Sequence, residues 1–138
     1  MSYSFKRNIS MQDLEDIGKW TKHIYEEVNN TKLSQAWIEN NILLINNGNI
    51  IVGFCALNST SKGAQLQLIR IRNNYRRQKL GTLLVEYCLL NLKKIGTKSL
   101  EVNNVSIELK PFWNKLGFKA HDCNSNNASI KMYINLTN

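Results

Sequence analysis

Leu66-Gln67-Leu68-Ile69-Arg70-Ile71-Arg72-Asn73-Asn74-Tyr75-Arg76-Arg77-Gln78-Lys79-Leu80-Gly81-Thr82 carries an apolar strand pattern into a basic turn and then into a helix pattern that continues to Ile95. A basic turn that opens a helix suits phosphate. Successive main-chain N–H groups can point at one anion, the helix N-terminus adds partial positive charge, and Arg76, Arg77 and Lys79 add full charges. The turn therefore reads as a polyphosphate site, the plain alternative being a solvated basic helix start. No G-x-x-x-x-G-K-[ST] occurs, and no G-x-G-x-x-G opens a βαβ unit, which argues against a nucleotide triphosphatase and a dinucleotide enzyme.

Tyr75-Arg76-Arg77-Gln78-Lys79-Leu80-Gly81 resembles the Arg-x-x-Gly-x-Gly acyl-CoA loop of the GNAT family of N-acetyltransferases, with Arg76 at the basic position and Gly81 at the last glycine. Lys79 stands where that family usually has its first glycine, used so that the backbone can approach the pyrophosphate. With ordinary φ and ψ, Lys79 still offers its N–H, and its ammonium adds charge. Leu100-Glu101-Val102-Asn103-Asn104-Val105-Ser106, followed by Phe112-Trp113-Asn114-Lys115-Leu116-Gly117-Phe118, resembles the family's second signature in register and at the expected distance. The resemblance covers roughly residues 42 to 136 and is strong from Leu66 to Phe118.

The resemblance implies an α/β (α+β) GNAT fold, with a mixed, mostly antiparallel sheet of six to seven strands, about four helices, and a splay between strands 4 and 5. It implies acetyl-CoA as co-substrate, without a metal, and transfer of the acetyl group to a primary amine of a small molecule, a peptide or protein, or an aminoacyl-tRNA. The coenzyme-binding residues it implies are Ile69 and Ile71, whose backbone pairs with pantetheine while an N–H there polarises the thioester carbonyl, then Arg76, Arg77, Gln78, Lys79, Leu80, Gly81 and Thr82, and Ser106.

The strand before the loop carries a related signal. Leu66 and Leu68 share one phase of alternation while Ile69 and Ile71 share the other. A β-bulge produces such a slip, and so does a strand buried on both faces; the resemblance favours the bulge, which opens a slot for the pantetheine arm.

At 138 residues the chain fits one domain, 1–138. No run of eighteen apolar residues exists and Met1 to Arg7 lacks a signal-peptide core, so a cytoplasmic protein is expected, with no membrane partner. Cys55, Cys88 and Cys123 are far apart and odd in number, which argues for free thiols and against both disulfides and zinc. The net charge of +8 gathers in residues 51–100, which hold nine basic groups and one acidic. The pyrophosphate and the ribose phosphate of CoA account for such a cluster, so nucleic acid is needed only as an aminoacyl-tRNA substrate; Lys93, Lys94 and Lys98 read as a solvated helix end.

Ser10-Met11-Gln12-Asp13 reads as a capping box for a first helix over about 11–28, and Ser34 as the cap of a second holding Trp37 and Ile38. Asn47-Gly48 predicts a type I′ hairpin turn between Ile42–Ile45 and Ile50–Leu57. Alternation at Ile130, Met132, Ile134 and Leu136 predicts a closing strand.

Acyl transfer to an amine needs a base, because amines with pKa near 8 to 10 are mostly protonated at neutral pH. Glu101 is the catalytic candidate, standing where the family's ribosomal-protein N-terminal acetyltransferases place their base; the alternative is a strand glutamate balancing the basic loop. Trp113 replaces the family's usual leaving-group tyrosine. Its indole N–H can donate a hydrogen bond to sulfur but cannot serve as an acid, and the residue also reads as a core aromatic between Phe112 and Phe118. Pro111 shortens the helix that Ser106 would otherwise cap. Asp13, Glu15, Asp16, Glu26 and Glu27 either signal a cationic acceptor or form a solvated helix face. A CoA-binding regulatory module that lost the chemistry is the alternative function, prompted by Lys79 and Trp113; monomer and dimer are both open.

Overall fold

Short strands, either alternating or wholly apolar, assemble into one seven-stranded sheet in the computed structural model, which describes residues 3–20, 36, 37, 39–61, 63–121 and 129–137. In chain order the elements are β1 (Tyr3–Lys6), α1 (Met11–Trp20), β2 (Ile42–Asn47), β3 (Ile50–Thr60), β4 (Gly63–Ile71), a 3-10 turn (Asn73–Tyr75), α2 (Leu80–Lys94), β5 (Ser99–Ser106), α3 (Lys110–Lys115), β6 (Lys119–Ala120) and β7 (Ser129–Asn135). The spatial order is β1-β2-β3-β4-β5-β7-β6, antiparallel throughout except for the parallel pair β4–β5. A parallel pair needs a long crossover, and α2 supplies it.

The two faces of the sheet follow from the residue pattern. Leu80, Leu84, Val85, Cys88 and Leu92 line one side of α2, and they pack with Leu66, Leu100, Val102, Trp113 and Phe118 on one face. Ile17 of α1 packs with Ile42, Leu44, Phe54, Ala56 and Leu68 on the other. β3 is buried from Ile51 to Leu57, as a central strand apolar on both sides must be. Cys55 and Cys88 meet across the first cluster, and their hydrogen bond, together with burial, pushes the Cys55 thiol well above its ordinary value.

The capping box closes reciprocally: the Asp13 N–H donates to Ser10 Oγ at 3.1 Å and the Ser10 N–H to Asp13 Oδ2 at 2.9 Å. Burial works to raise the Asp13 carboxyl, but the Lys6 ammonium at 2.7 Å and the Ser10 bonds outweigh it and hold the group below its usual value. α1 is described to Trp20; the predicted extension to residue 28, Ser34 and Cys123 lie outside the described residues. The hairpin turn sits one residue later than predicted, at Gly48-Asn49, because Asn47 pairs with Ile50. Only Gly48 has positive φ, at 61°, which is the type II′ arrangement with glycine first.

Gly63 starts β4 where the strand meets β5. Its φ is +155°, and a Cβ there would lie 2.4 Å from the Ser99 carbonyl oxygen, so the parallel seam closes only around a residue without a side chain. Gly63→Ala is expected to cost about 2 kcal/mol or more in chemical denaturation, and a stability equal to wild type would contradict the seam's dependence on this contact.

Candidate active site

β4 and β5 stay paired for only three positions, Ala64 with Leu100, Gln65 with Glu101 and Leu66 with Val102. Beyond them both strands are bulged. In β4, Ala56 of β3 faces Leu68 and Leu57 faces Leu66, leaving Gln67 as the extra residue. The phase slip seen in the sequence is this bulge, lying between Leu66 and Leu68, which therefore turn to opposite faces. In β5 the register to β7 shifts between Val102 and Val105, and Asn104 takes a left-handed φ of 56°. Asparagine tolerates that conformation better than most residues. With an extra residue on each side the strands part into a cleft of ≈ 330 Å³, lined by Leu66 to Arg70 on one wall, Val102 to Val105 on the other, and Leu109 and Trp113 at the base.

Strand alternation decides what the β4 wall presents. The Arg72 N–H donates to Val52 O at 2.8 Å across to β3, so the peptide groups of Arg70 face β3 as well, while those of Ile69 and Ile71 face the cleft. Two arginines reach those carbonyls: Arg70 Nη1 donates to Ile69 O at 2.7 Å, and Arg76 Nε to Ile71 O at 3.4 Å. Across the cleft, Asn103 Oδ1 is buried without a hydrogen-bond partner among the described residues.

The cleft leads to the start of α2. Arg76, Arg77, Gln78 and Lys79 are exposed, and Leu80 is the first buried residue of the helix. Arg77 and Lys79 have φ of 68° and 61°. The dihedrals of Lys79 are not ordinary: it is a left-handed N-cap, a conformation glycine adopts without cost and lysine at about 1 kcal/mol. No side chain caps the helix, and among the described residues the N–H groups of Arg77, Gln78 and Lys79 make no backbone hydrogen bond. Together with the first-turn N–H groups of Leu80, Gly81 and Thr82, they form a row of unspent donors within a cationic loop. A residue not singled out in the sequence steadies it: Tyr3 Oη donates to Gln78 Oε1 at 2.6 Å, and the neighbouring Phe5 stacks on Tyr87 of α2 with ring centroids 4.4 Å apart. An edge-strand tyrosine seventy-five residues away gave no local signal.

These features fit a CoA molecule. The anionic end matches the uncapped, cationic helix start, and the amide-bearing arm matches the free strand edge at Ile69 and Ile71 and the orphaned Asn103 oxygen. Among the described residues no three His, Cys, Asp or Glu side chains gather as a metal-binding group would.

Glu101 sits one residue before the strands part, outside the cleft lining, on the face opposite α2. Its carboxylate lies 3.5 Å from His121 Nε2 and 3.9 Å from Lys131 Nζ, while the His121 ring leans on Tyr133 at 4.6 Å. Trp113 is 4% exposed, wedged edge-on between Phe112 and Phe118 at 5.0 Å from each, and it forms the cleft base from within the core. Trp113 is thus a core aromatic that also lines the cleft. Ser106 ends β5 outside the cleft lining; its carbonyl accepts the Leu109 N–H at 3.0 Å, and α3 carries no side-chain cap. Pro111 falls in the first turn of α3, where its missing N–H costs nothing.

A family model described as an acetyltransferase (GNAT) domain matches residues 8–133. None of the curated proteins matches the chain. Solved structures share the fold. The PaiA N-acetyltransferase of Thermoplasma acidophilum in complex with coenzyme A is 20% identical, with a TM-score of 0.75 over 98% of this chain and 99% of that one. Ard1 from Thermoplasma volcanium is 16% identical, with a TM-score of 0.78 over 100% of both. The ribosomal-protein-S18-alanine N-acetyltransferase of Escherichia coli is 15% identical, with a TM-score of 0.73 over 99% of this chain and 95% of that one. With the family model spanning nearly the whole sequence and the parted β4–β5 sheet beneath it, the chain belongs to the GNAT acetyltransferase family.

Proposed function

We propose that this chain moves an acetyl group from acetyl-CoA to a primary amine of a small molecule, a peptide or protein, or an aminoacyl-tRNA, with Glu101 as the base. The observation that carries the reading is the opening of β4 from β5 directly onto the uncapped start of α2, so that a free strand edge and a row of unspent N–H groups form one continuous track. Acetyl-CoA supplies the activated acetyl thioester. The loop from Arg76 to Thr82 holds its diphosphate through main-chain N–H groups and the Arg76, Arg77 and Lys79 charges. The Ile69 and Ile71 peptide groups fix the arm as an added strand would be fixed, and a slot-facing N–H there polarises the thioester carbonyl.

The remaining work is done by side chains. Glu101 accepts the proton of the acceptor ammonium, directly or through water, and hands it toward the solvent by way of the adjacent His121. The Trp113 N–H donates a hydrogen bond to the departing sulfur, which at a thiol pKa near 8.5 leaves without full protonation. The unpaired Cys55 and Cys88 accord with a reducing, cytoplasmic setting.

Saturating acetyl-CoA is expected to raise the melting temperature by about 5 °C or more at a hundredfold excess over Kd, and an unmoved transition would refute the assignment. Steady thiol release with any amine removes the alternative of a silent CoA-binding module. Glu101→Gln should lower kcat at pH 7 by about a hundredfold and recover as pH approaches the amine pKa, where the substrate sheds its own proton; a normal rate at pH 7 excludes Glu101 as base. Lys79→Gly relieves the left-handed strain but removes a charge. It should keep or raise stability while weakening CoA binding about two- to fivefold at low salt, a gap that closes at high salt.

A further inference from the structure

The cleft between β4 and β5 changes character from mouth to floor. Gln67, Arg70, Asn103 and Asn104 line it as polar residues, each at least partly exposed and none belonging to the core beneath α2. Leu66, Val102, Val105 and Trp113 line it as members of that core, each between 3 and 7% exposed. The inner half is therefore apolar and backed by packed side chains. Leu66 and Val102 form the last pair before the strands part, so they wall its narrow end. Trp113 supplies the floor, and its ring has no room to step aside, because Phe112 and Phe118 hold it edge-on at 5.0 Å each.

The two substrates sort themselves along this gradient. An amine that must shed a proton belongs at the wet, polar mouth, whereas the alkyl part of an acyl group gains by leaving water. Resting on the acetyltransferase reading above, we propose that the inner half of the cleft is the acyl pocket and that Trp113 sets its depth, so that acetyl-CoA is accepted and longer acyl groups are rejected. In that reading the sulfur lies against the Trp113 N–H. A chain growing from the thioester carbon then runs at once into the indole and the two valines. A close-packed wall does not yield to an added methylene without displacing its neighbours. A second way out passes Leu109, which also lines the cleft but is 54% exposed; an acyl chain leaving by it would meet no floor, and its length would not matter.

Two measurements decide it. The first compares kcat/KM for acetyl-, propionyl- and butyryl-CoA with one accepted amine, by thiol release. The wild type should lose about tenfold or more for each added methylene. Trp113→Leu and Trp113→Phe both remove the indole N–H and slow every acyl group alike, so the ratio of butyryl to acetyl is what counts. It should rise about tenfold or more in Trp113→Leu and by less in Trp113→Phe, which keeps an aromatic ring in the core and decides the matter alone if the leucine variant does not fold. A wild type indifferent to chain length, or a ratio that neither variant raises, overturns the proposal. The second needs neither turnover nor a variant: by calorimetry, butyryl-CoA should bind the wild type about tenfold or more weakly than acetyl-CoA, although it is the more apolar ligand. Equal or tighter binding of butyryl-CoA overturns the closed floor. If the wild type binds CoA but no amine releases thiol, the acetyltransferase assignment fails on its own, while calorimetry still reads the depth of the pocket.

Discussion

Everything functional in this molecule depends on β4 and β5 ceasing to pair after Leu66 and Val102. A strand edge inside a sheet is normally consumed by its neighbour, and exposing one leaves peptide groups that must find partners. Here two bulges, at Gln67 on one strand and at Asn103-Asn104 on the other, force the separation. The cost of the unmatched edge is offset locally, because Arg70 and Arg76 cover the Ile69 and Ile71 carbonyls. The same edge that would be a flaw in a structural sheet becomes a template for an amide-containing ligand, while α2 and α3 keep the two halves of the sheet on one core.

The basic loop depends on the same geometry. β4 delivers the chain to the 3-10 turn at Asn73–Tyr75, and the left-handed residues Arg77 and Lys79 then reverse it into α2 without spending the N–H groups in between. Ordinary helices satisfy their first donors with a Ser, Thr, Asp or Asn cap. A lysine cap with no side-chain bond leaves the helix start electrostatically open, and the exposed arginines beside it concentrate the positive charge that the composition shows for residues 51–100.

Much of this was legible in the sequence for physical reasons that can be named. The shift of apolar phase between Leu66 and Ile71 marked the β4 bulge because both phases there are carried by large aliphatic residues, which report which side they pack on. The matching bulge in β5 left no such trace, since Asn103 and Asn104 are polar and a register slip between them moves no apolar residue; the repeated asparagine, tolerant of positive φ, was the only available hint. Ser10 and Asp13 announced their reciprocal cap through spacing alone. The reach of Arg70 around the strand edge and the hydrogen bond from Tyr3 to Gln78 were invisible, because both depend on how a long or distant side chain arrives through space. The Gly48-Asn49 turn shows the ordinary one-residue uncertainty of hairpins: glycine fixed the bend, and strand pairing chose which neighbour shared it.

The bond from Tyr3 to Gln78, with Phe5 stacked on Tyr87 beside it, ties the basic loop before α2 to the outermost strand of the sheet. That strand has three exposed residues of four and a single neighbour, so it opens more readily than any interior strand. Stiffness in the basic bend is thus borrowed from an edge strand of the β-architecture. Drift at three or four amino-terminal positions can therefore alter how firmly the basic bend is held while its own sequence stays the same.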